Sequence, residues 1–335
     1  MKVLRNIKVP TGNIMIVEGD KGKLECLSIG DYGKEANLKA DFMGLDRAIE
    51  HVKHQEMLPL EEKWVVTIST QYGCSMDCVF CDVPKVGKGV NVTYNDLKGQ
   101  VILALKLHPE VKFTNRLNVH FARMGEPTWN PAVLDFSKNL TKEVYPYIGE
   151  SFIHPVVSTM MPKNNKKLIE FLKEWMSIKN NDFNGEAGLQ FSINSTSDEE
   201  RNLMFSGNTL SLQEISDIGR ALDFPKGRKI TLNFAVAGYE IDAKKLRKLF
   251  DPSKFLVKLT PMHKTDRALK NGIETDGDYT SIYPYLHIEE ELKKEGFDVI
   301  VFIASEYEDL GRITCGNAIL SGTNPECPYE NITLV

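Results

Sequence analysis

From residue 64 onward the chain alternates short apolar runs with amphipathic stretches, and this pattern narrows its possible folds more than any other feature. The candidate strands are 64–70, 117–123, 152–159, 188–194, 229–236 and 255–260. The candidate helices are 94–107, 131–144, 163–176, 209–222, 242–250 and 278–295. Helical stretches place apolar residues three and four apart, as at Leu168, Leu172 and Trp175. Asn95-Asp96, Pro131 and Pro162 mark helix starts. Strict strand–helix alternation builds a parallel sheet with helices outside it. Six such units predict an α/β fold, a partial (β/α)6 barrel, whose chemistry lies at the C-terminal strand ends. A late apolar run, 299–303, leads into a glycine-containing tail.

The first 58 residues read differently. Apolar runs at 13–18 and 24–29 flank Gly19-Asp20-Lys21-Gly22, a hairpin signal. Residues 44–55 read as a short helix, and Pro59 breaks the chain before the first long strand. The expected organisation is a small β-rich N-terminal extension, 1–58, followed by a barrel with a cysteine-bearing tail, 59–335.

Directly after the first barrel strand stands Cys74-Ser75-Met76-Asp77-Cys78-Val79-Phe80-Cys81. Intervals of four and three residues let one short loop offer three thiolates to one metal centre. A structural zinc loop would want a fourth Cys or His at similar local spacing, and none follows. Buried structural thiols are the other plain reading. Most electron-transfer cubanes use four cysteines. Three would leave one iron of a 4Fe–4S cluster open to a small chelating ligand. S-adenosylmethionine (SAM) offers an amine and a carboxylate for that purpose.

Composition limits the partners. The chain has 335 residues, no apolar run near the roughly 20 residues of a membrane span, and no long apolar stretch behind its first residues. Six cysteines, three of them clustered, fit a reducing cytoplasm better than a disulfide framework. A net charge of −5 argues against extensive unspecific phosphate contact. Local basic clusters at Lys163, Lys166 and Lys167, at Lys226, Arg228 and Lys229, and at Lys244, Lys245, Arg247 and Lys248 read as solvated helix faces.

Further candidates lie at the expected strand ends. Met124-Gly125-Glu126-Pro127 ends the second strand. Glu126 could accept a hydrogen bond from a ligand ammonium, and Gly125 permits close backbone approach. Ser158-Thr159 ends the third strand; Ser192 and Asn194 end the fourth, followed by Ser195 and Ser197. Such short polar side chains suit a ribose or a carboxylate, and Ser195 and Ser197 equally suit helix caps. His263 follows the sixth strand and could touch an adenosyl group or be an ordinary loop histidine. Cys315, in Thr314-Cys315-Gly316, is either a reactive thiol or a small core residue.

Together these segments resemble the radical-SAM superfamily, and within it the RlmN and Cfr adenosine methyltransferases of RNA. The likeness runs from about residue 58 to 321. It rests on Ser69-Thr70-Gln71-Tyr72-Gly73-Cys74, the cysteine loop with Phe80, Met124 to Asn130, Ser158-Thr159, Phe191 to Asn194 and Cys315-Gly316. It implies a radical-SAM barrel, a 4Fe–4S cluster on Cys74, Cys78 and Cys81, and SAM near Glu126, Ser158, Ser192 and Asn194; Phe80, Gly125 and His263 complete the candidate cofactor-binding residues. It also implies that Cys315 accepts a methyl group from one SAM. A deoxyadenosyl radical from a second SAM then activates that methyl for attack on an electrophilic adenine carbon. A reductant such as flavodoxin or ferredoxin is implied, with RNA or a small nucleotide-like molecule as substrate. The chain departs from the pattern at Thr67, where the family has a second cysteine, and in its short N-terminal segment. Cys327 could substitute for that cysteine. The alternative expectation is a radical-SAM enzyme acting on a small molecule or peptide without a methyl-cysteine.

Overall fold

The computed structural model describes residues 1–47, 49, 57–275, 281–326 and 332–333. The chain opens with three antiparallel strands, β1 (Lys2–Val9), β2 (Gly12–Gly19) and β3 (Gly22–Ile29). The expected hairpin is β2–β3, paired from Gly12↔Ile29 to Gly19↔Gly22. A short helix α1 (Lys34–Asn37) and a two-residue strand β4 (Leu38–Lys39) follow. The helix expected at 44–55 does not form over 44–47. There a 3₁₀ turn, Asp41–Met43, ends on left-handed Gly44, and Ala40 bridges Leu45. Residues 48 and 50–56 lie outside the described residues.

The barrel begins with β5 (Trp64–Ile68), followed by a small hairpin of β6 (Gln71–Gly73) and β7 (Lys88–Asn91). Then come α2 (Tyr94–Lys106), β8 (Leu117–His120), α3 (Ala132–Ile148), β9 (Ile153–Thr159), α4 (Leu168–Ser177) and β10 (Gly188–Ser192). Two helices, α5 (Asp198–Met204) and α6 (Leu212–Ala221), lead to β11 (Ile230–Val236). The chain continues through α7 (Ala243–Leu249), β12 (Phe255–Pro261), α8 (Asp266–Lys270), α9 (Leu286–Lys294), β13 (Val299–Phe302) and α10 (Glu306–Leu310). A two-residue strand β14 (Ile332–Thr333) closes the order.

The main sheet runs β14-β1-β2-β3-β5-β8-β9-β10-β11-β12-β13-β4. From β5 to β13 its neighbours are parallel, so the late strand adds a seventh parallel member. The N-terminal strands extend this same sheet, because β3 pairs antiparallel with β5.

The helices form for local reasons and dock through apolar stripes. Thr93 and Asp96 make a capping box that starts α2, and Ser211 and Glu214 make one for α6. Helix α4 buries Leu168, Phe171, Leu172, Trp175 and Met176 along one face. Each such side chain contributes roughly 1.5–3 kcal/mol on burial. Trp175 packs edge-on to Phe121 at 6.1 Å, and its indole N–H donates to the Gly188 carbonyl at 3.1 Å. Helix α4 starts five residues later than its expected start at 163. Lys163 N–H donates to the Asn208 carbonyl and Asn165 to the Thr128 carbonyl, which holds 163–167 out of the helix. The helix expected at 278–295 forms over Leu286–Lys294, after a 3₁₀ turn at Tyr283–Tyr285; residues 276–280 lie outside the described residues.

Candidate active site

The cysteine loop lies between β6 and β7, at the C-terminal end of β5. Cys74 N–H donates to the Gly87 carbonyl at 3.1 Å, and Cys81 N–H to the Cys78 carbonyl at 3.2 Å. The far side of the loop is fastened to α8. The Asp82 carboxylate accepts from the N–H groups of Asp266 (3.0 Å) and Arg267 (3.1 Å). Thr265 donates to the Phe80 carbonyl at 2.7 Å, and Arg267 pairs with Asp77 at 2.7 Å. Behind the thiols lies an apolar pad of Met76, Met160, Met204 and Phe205, against which Cys74, Cys78 and Phe80 pack. Cys78 Sγ is 3.6 Å from Met160 Sδ, and Phe80 meets Phe205 edge-on at 5.7 Å.

Burial pushes the Cys74 thiol up to about 12. Burial and then the neighbouring cysteines push Cys78 and Cys81 up as well. Three thiolates in this apolar setting need a cationic centre to hold them charged, and three soft sulfur donors with an apolar backing suit iron–sulfur ligation. Among the described residues, no three His, Cys, Asp or Glu side chains converge on a single-ion position.

Glu126 follows β8 and faces the same region. It is buried, and burial pushes its carboxyl up. One carboxylate oxygen accepts from Thr128 N–H at 3.2 Å and Thr128 Oγ1 at 2.7 Å; the other accepts from Met160 N–H at 3.1 Å. The Thr159 hydroxyl also hydrogen-bonds this carboxylate. Gln71 couples this loop to the cysteines. Its side-chain oxygen accepts from Ser75 N–H, Ser75 Oγ and Glu126 N–H, each at 3.1 Å. Asn130 adds bonds to the carbonyls of Thr70 (2.9 Å) and Val92 (3.0 Å).

Ser158 and Ser192 are half-buried near the ends of β9 and β10. By strand alternation they share the inward face with Val156 and Gln190. Asn194 is buried in a left-handed conformation, φ 61°, and its side-chain oxygen accepts from Ala235 N–H at 3.0 Å. Ser197 caps α5 by accepting from Glu200 N–H. His263 Nδ1 lies 3.2 Å from Asp309 Oδ1, and that carboxylate also takes the Thr314 hydroxyl at 2.6 Å. His263 thus braces the segment that carries Cys315.

Cys315, distant in sequence, is brought against the cluster loop. The Gly316 carbonyl accepts from Asp82 N–H at 2.8 Å, and a Cβ on Gly316 would stand 3.4 Å from the Phe80 carbonyl oxygen. The Cys315 side chain is accessible to solvent. Surrounding protein still pushes its pKa up, opposed by Arg123, Lys258 and the Gly316 N–H. Thr67 lies in β5, opposite Leu27 and His120. Cys327 is outside the described residues.

Three supporting residues carried no separate signal in the sequence. Gln71 and Asp82 flank the cysteine motif but have no spacing rule of their own. Arg201 is fully buried, and its guanidinium donates to the carbonyls of Ser192 and Ile193 and to Thr209. It holds the end of β10, and an Asp-Glu-Glu-Arg run reads as surface.

The parallel sheet, the cysteine loop after its first strand and the polar strand ends define a radical-SAM type of barrel. A solved radical-SAM methyltransferase from Sphaerobacter thermophilus shares the fold, with a TM-score of 0.60 over 94% of this chain and 80% of that one, at 16% identity. In sequence the chain is similar to curated RlmN RNA methyltransferases. It is 26% identical over 269 residues to the dual-specificity RNA methyltransferase RlmN of Sorangium cellulosum, covering 77% of this chain and 62% of the relative. It is 30% identical over 202 residues to the RlmN of Lawsonia intracellularis, covering 58% of this chain and 52% of the relative. The chain thus spans less than two thirds of the length of these curated relatives. No protein-family model matches the chain. No helix among the described residues is long and apolar enough to cross a membrane.

Proposed function

We propose that the protein is a radical-SAM methyltransferase that moves a one-carbon unit through Cys315 to an sp2 carbon of an adenine-type substrate, in RNA or in a nucleotide-like molecule. The observation that carries this reading is the packing of Cys315-Gly316 against Phe80-Cys81-Asp82, across some 230 residues of sequence. Cys74, Cys78 and Cys81 would hold a 4Fe–4S cluster. Glu126, with Phe80, Gly125, Ser158, Ser192, Asn194 and His263 around it, would surround SAM. When bound, cluster and SAM supply an electron and a deoxyadenosyl radical, the one-electron chemistry that no side chain here provides.

The chain's own residues set the conditions. Glu126 is a desolvated carboxylate that gains a partner when an ammonium arrives. The methionine and phenylalanine pad backs the half-buried thiols on one side. Arg123 and Lys258 favour the thiolate of Cys315, the form that accepts an alkyl group. Thr67 offers a hydroxyl where the related family has a second thiol, and this favours one rival: a radical-SAM enzyme that does not pass its carbon through a cysteine. The reductant would be a small electron carrier such as flavodoxin or ferredoxin.

Intact-protein mass spectrometry separates the two readings. Wild-type protein exposed to SAM should gain the mass of one methyl group, located on Cys315 by peptide mapping. Cys315→Ala should lose the mark and all methylated product while still cleaving SAM reductively. Wild-type product formation by Cys315→Ala would remove the methyl-cysteine route and leave the rival.

A further inference from the structure

At the end of the barrel away from the cysteine loop, the N-terminal ends of the strands surround a cavity of about 720 Å³. Six cationic side chains line it: Lys34, Lys63, Arg116, Arg228, Lys229 and Lys258. Four carboxylates line it too, Asp31, Glu186, Asp298 and Glu308. Two of these are ion-paired, Asp31 to Lys63 at 2.7 Å and Asp298 to Lys229 at 2.6 Å; Glu186 attracts Lys34, Arg116 and Arg228 at longer range, and Glu308 attracts Lys258.

The remaining cations have other neighbours. Arg116 donates to the Asn118 side chain at 3.1 Å, and Arg228 to the Glu186 backbone carbonyl at 3.2 Å. Lys258 stands 4.7 Å over the Phe302 ring. No described carboxylate forms an ion pair with Lys34, Arg116, Arg228 or Lys258. In a chain of net charge −5, this is a local cationic excess inside a concavity.

The groups repel one another through the cavity. Burial, then Lys63 and Arg228, bring Lys258 down to about 8. Burial and then Arg116 lower Arg228, opposed by Glu186. Burial, followed by Lys258, Arg228, Lys63 and Arg116, takes His120 down to about 3. Six cations against four carboxylates leave a positive excess in the cavity, and a bound anion would offset it.

We propose that this cavity binds a phosphate-bearing small molecule of mononucleotide size, with its phosphate at Arg116 and Arg228. Two guanidinium groups present the planar donor forks that match phosphate oxygens. The volume lies within the roughly 300–1,000 Å³ of small-ligand sites. The cavity also borders the segment that carries Cys315. Ile313 lines it two residues before Cys315, and Lys258, in its wall, is felt by the Cys315 thiol. A ligand anchored by phosphate at Arg116 and Arg228 would occupy this cavity beside Ile313. Its role as substrate rests on the methyl-transfer reading; its binding does not.

Calorimetric titration of the full chain with adenosine 5′-monophosphate, and separately with inorganic pyrophosphate, tests the inference. Both should bind and raise the melting temperature of the wild type, which needs no variant. Arg116→Gln and Arg228→Gln should each weaken the nucleotide roughly tenfold or more, the usual loss for one charge-assisted contact. Arg228→Lys should recover part of that loss, and circular dichroism confirms that each variant is folded. Absence of wild-type binding at millimolar nucleotide and pyrophosphate would overturn the proposal, as would affinity unchanged in both glutamine variants. Binding of a short RNA strand at these arginines in place of the mononucleotide would overturn it too. Wild-type SAM cleavage without nucleotide is measured in parallel, so failure of the cavity assignment is distinct from failure of the radical reading.

Discussion

Arg123→Met is expected to destabilise the protein by roughly 3–5 kcal/mol, the cost of stranding a buried charge. Arg123 and Glu25 are both buried, and two guanidinium nitrogens meet one carboxylate oxygen at 3.0 and 2.8 Å. The other Glu25 oxygen accepts from Leu320 N–H, and Arg123 also donates to the Arg312 carbonyl at 2.9 Å. One ion pair therefore ties β3, the end of β8 and both flanks of Cys315 together. Removing the arginine leaves Glu25 desolvated and frees the segment that carries the thiol. The melting temperature should fall by on the order of 5–10 °C, and proteolysis near residue 315 should accelerate. Glu25→Gln combined with Arg123→Met should recover part of the loss, because the stranded charge is gone. An unchanged melting temperature in the single variant would show that the pair does not clamp this segment.

Gly125→Ala should damage the site from a second direction. Gly125 has φ 98°, a region that L side chains enter only with strain. A Cβ there would lie 2.6 Å from Gln71 Cβ and 2.7 Å from its backbone nitrogen. Gln71 cannot yield freely, since its side-chain oxygen holds both Ser75 and Glu126. Backbone strain and overpacking together should cost about 2–5 kcal/mol. The displacement would separate the Glu126 loop from the cysteine loop. SAM affinity, measured by equilibrium dialysis, should drop at least tenfold while some iron is retained. Wild-type affinity in this variant would mean that the two loops need not be in register.

The parts of the structure that were legible in the sequence are those with a strong local code. Parallel barrel strands are buried on both faces and so read as continuous apolar runs, as at 230–236 and 255–261. The cysteine loop announces itself by spacing. Helix α5 did not, because Asp198-Glu199-Glu200-Arg201 shows no apolar period; its fixed point is the buried guanidinium of Arg201. Strand β1 mixes lysine and arginine with apolar residues and takes its place only by pairing with β2. The cavity was hidden for a related reason. Arg228 and Lys229 read as part of a solvated helix face, whereas both stand just ahead of β11 and line the cavity. Lys63 and Arg116 stand just ahead of other strands, tens of residues away, and only the folding of the sheet gathers them around the cavity. By contrast, Lys244, Lys245, Arg247 and Lys248 do lie on a helix, α7.

The proposed methyl transfer requires the three-cysteine loop to seat a SAM-cleaving cluster. Anaerobic reconstitution followed by reduction with dithionite, reading iron content and 5′-deoxyadenosine together, tests this directly. Wild-type protein should bind about four irons per chain and release deoxyadenosine from SAM. Cys78→Ala, which removes the central thiol of the loop, should lose the brown colour and the deoxyadenosine together. Retained SAM cleavage in Cys78→Ala, or a wild-type protein that loads iron and never cleaves SAM, would contradict the account.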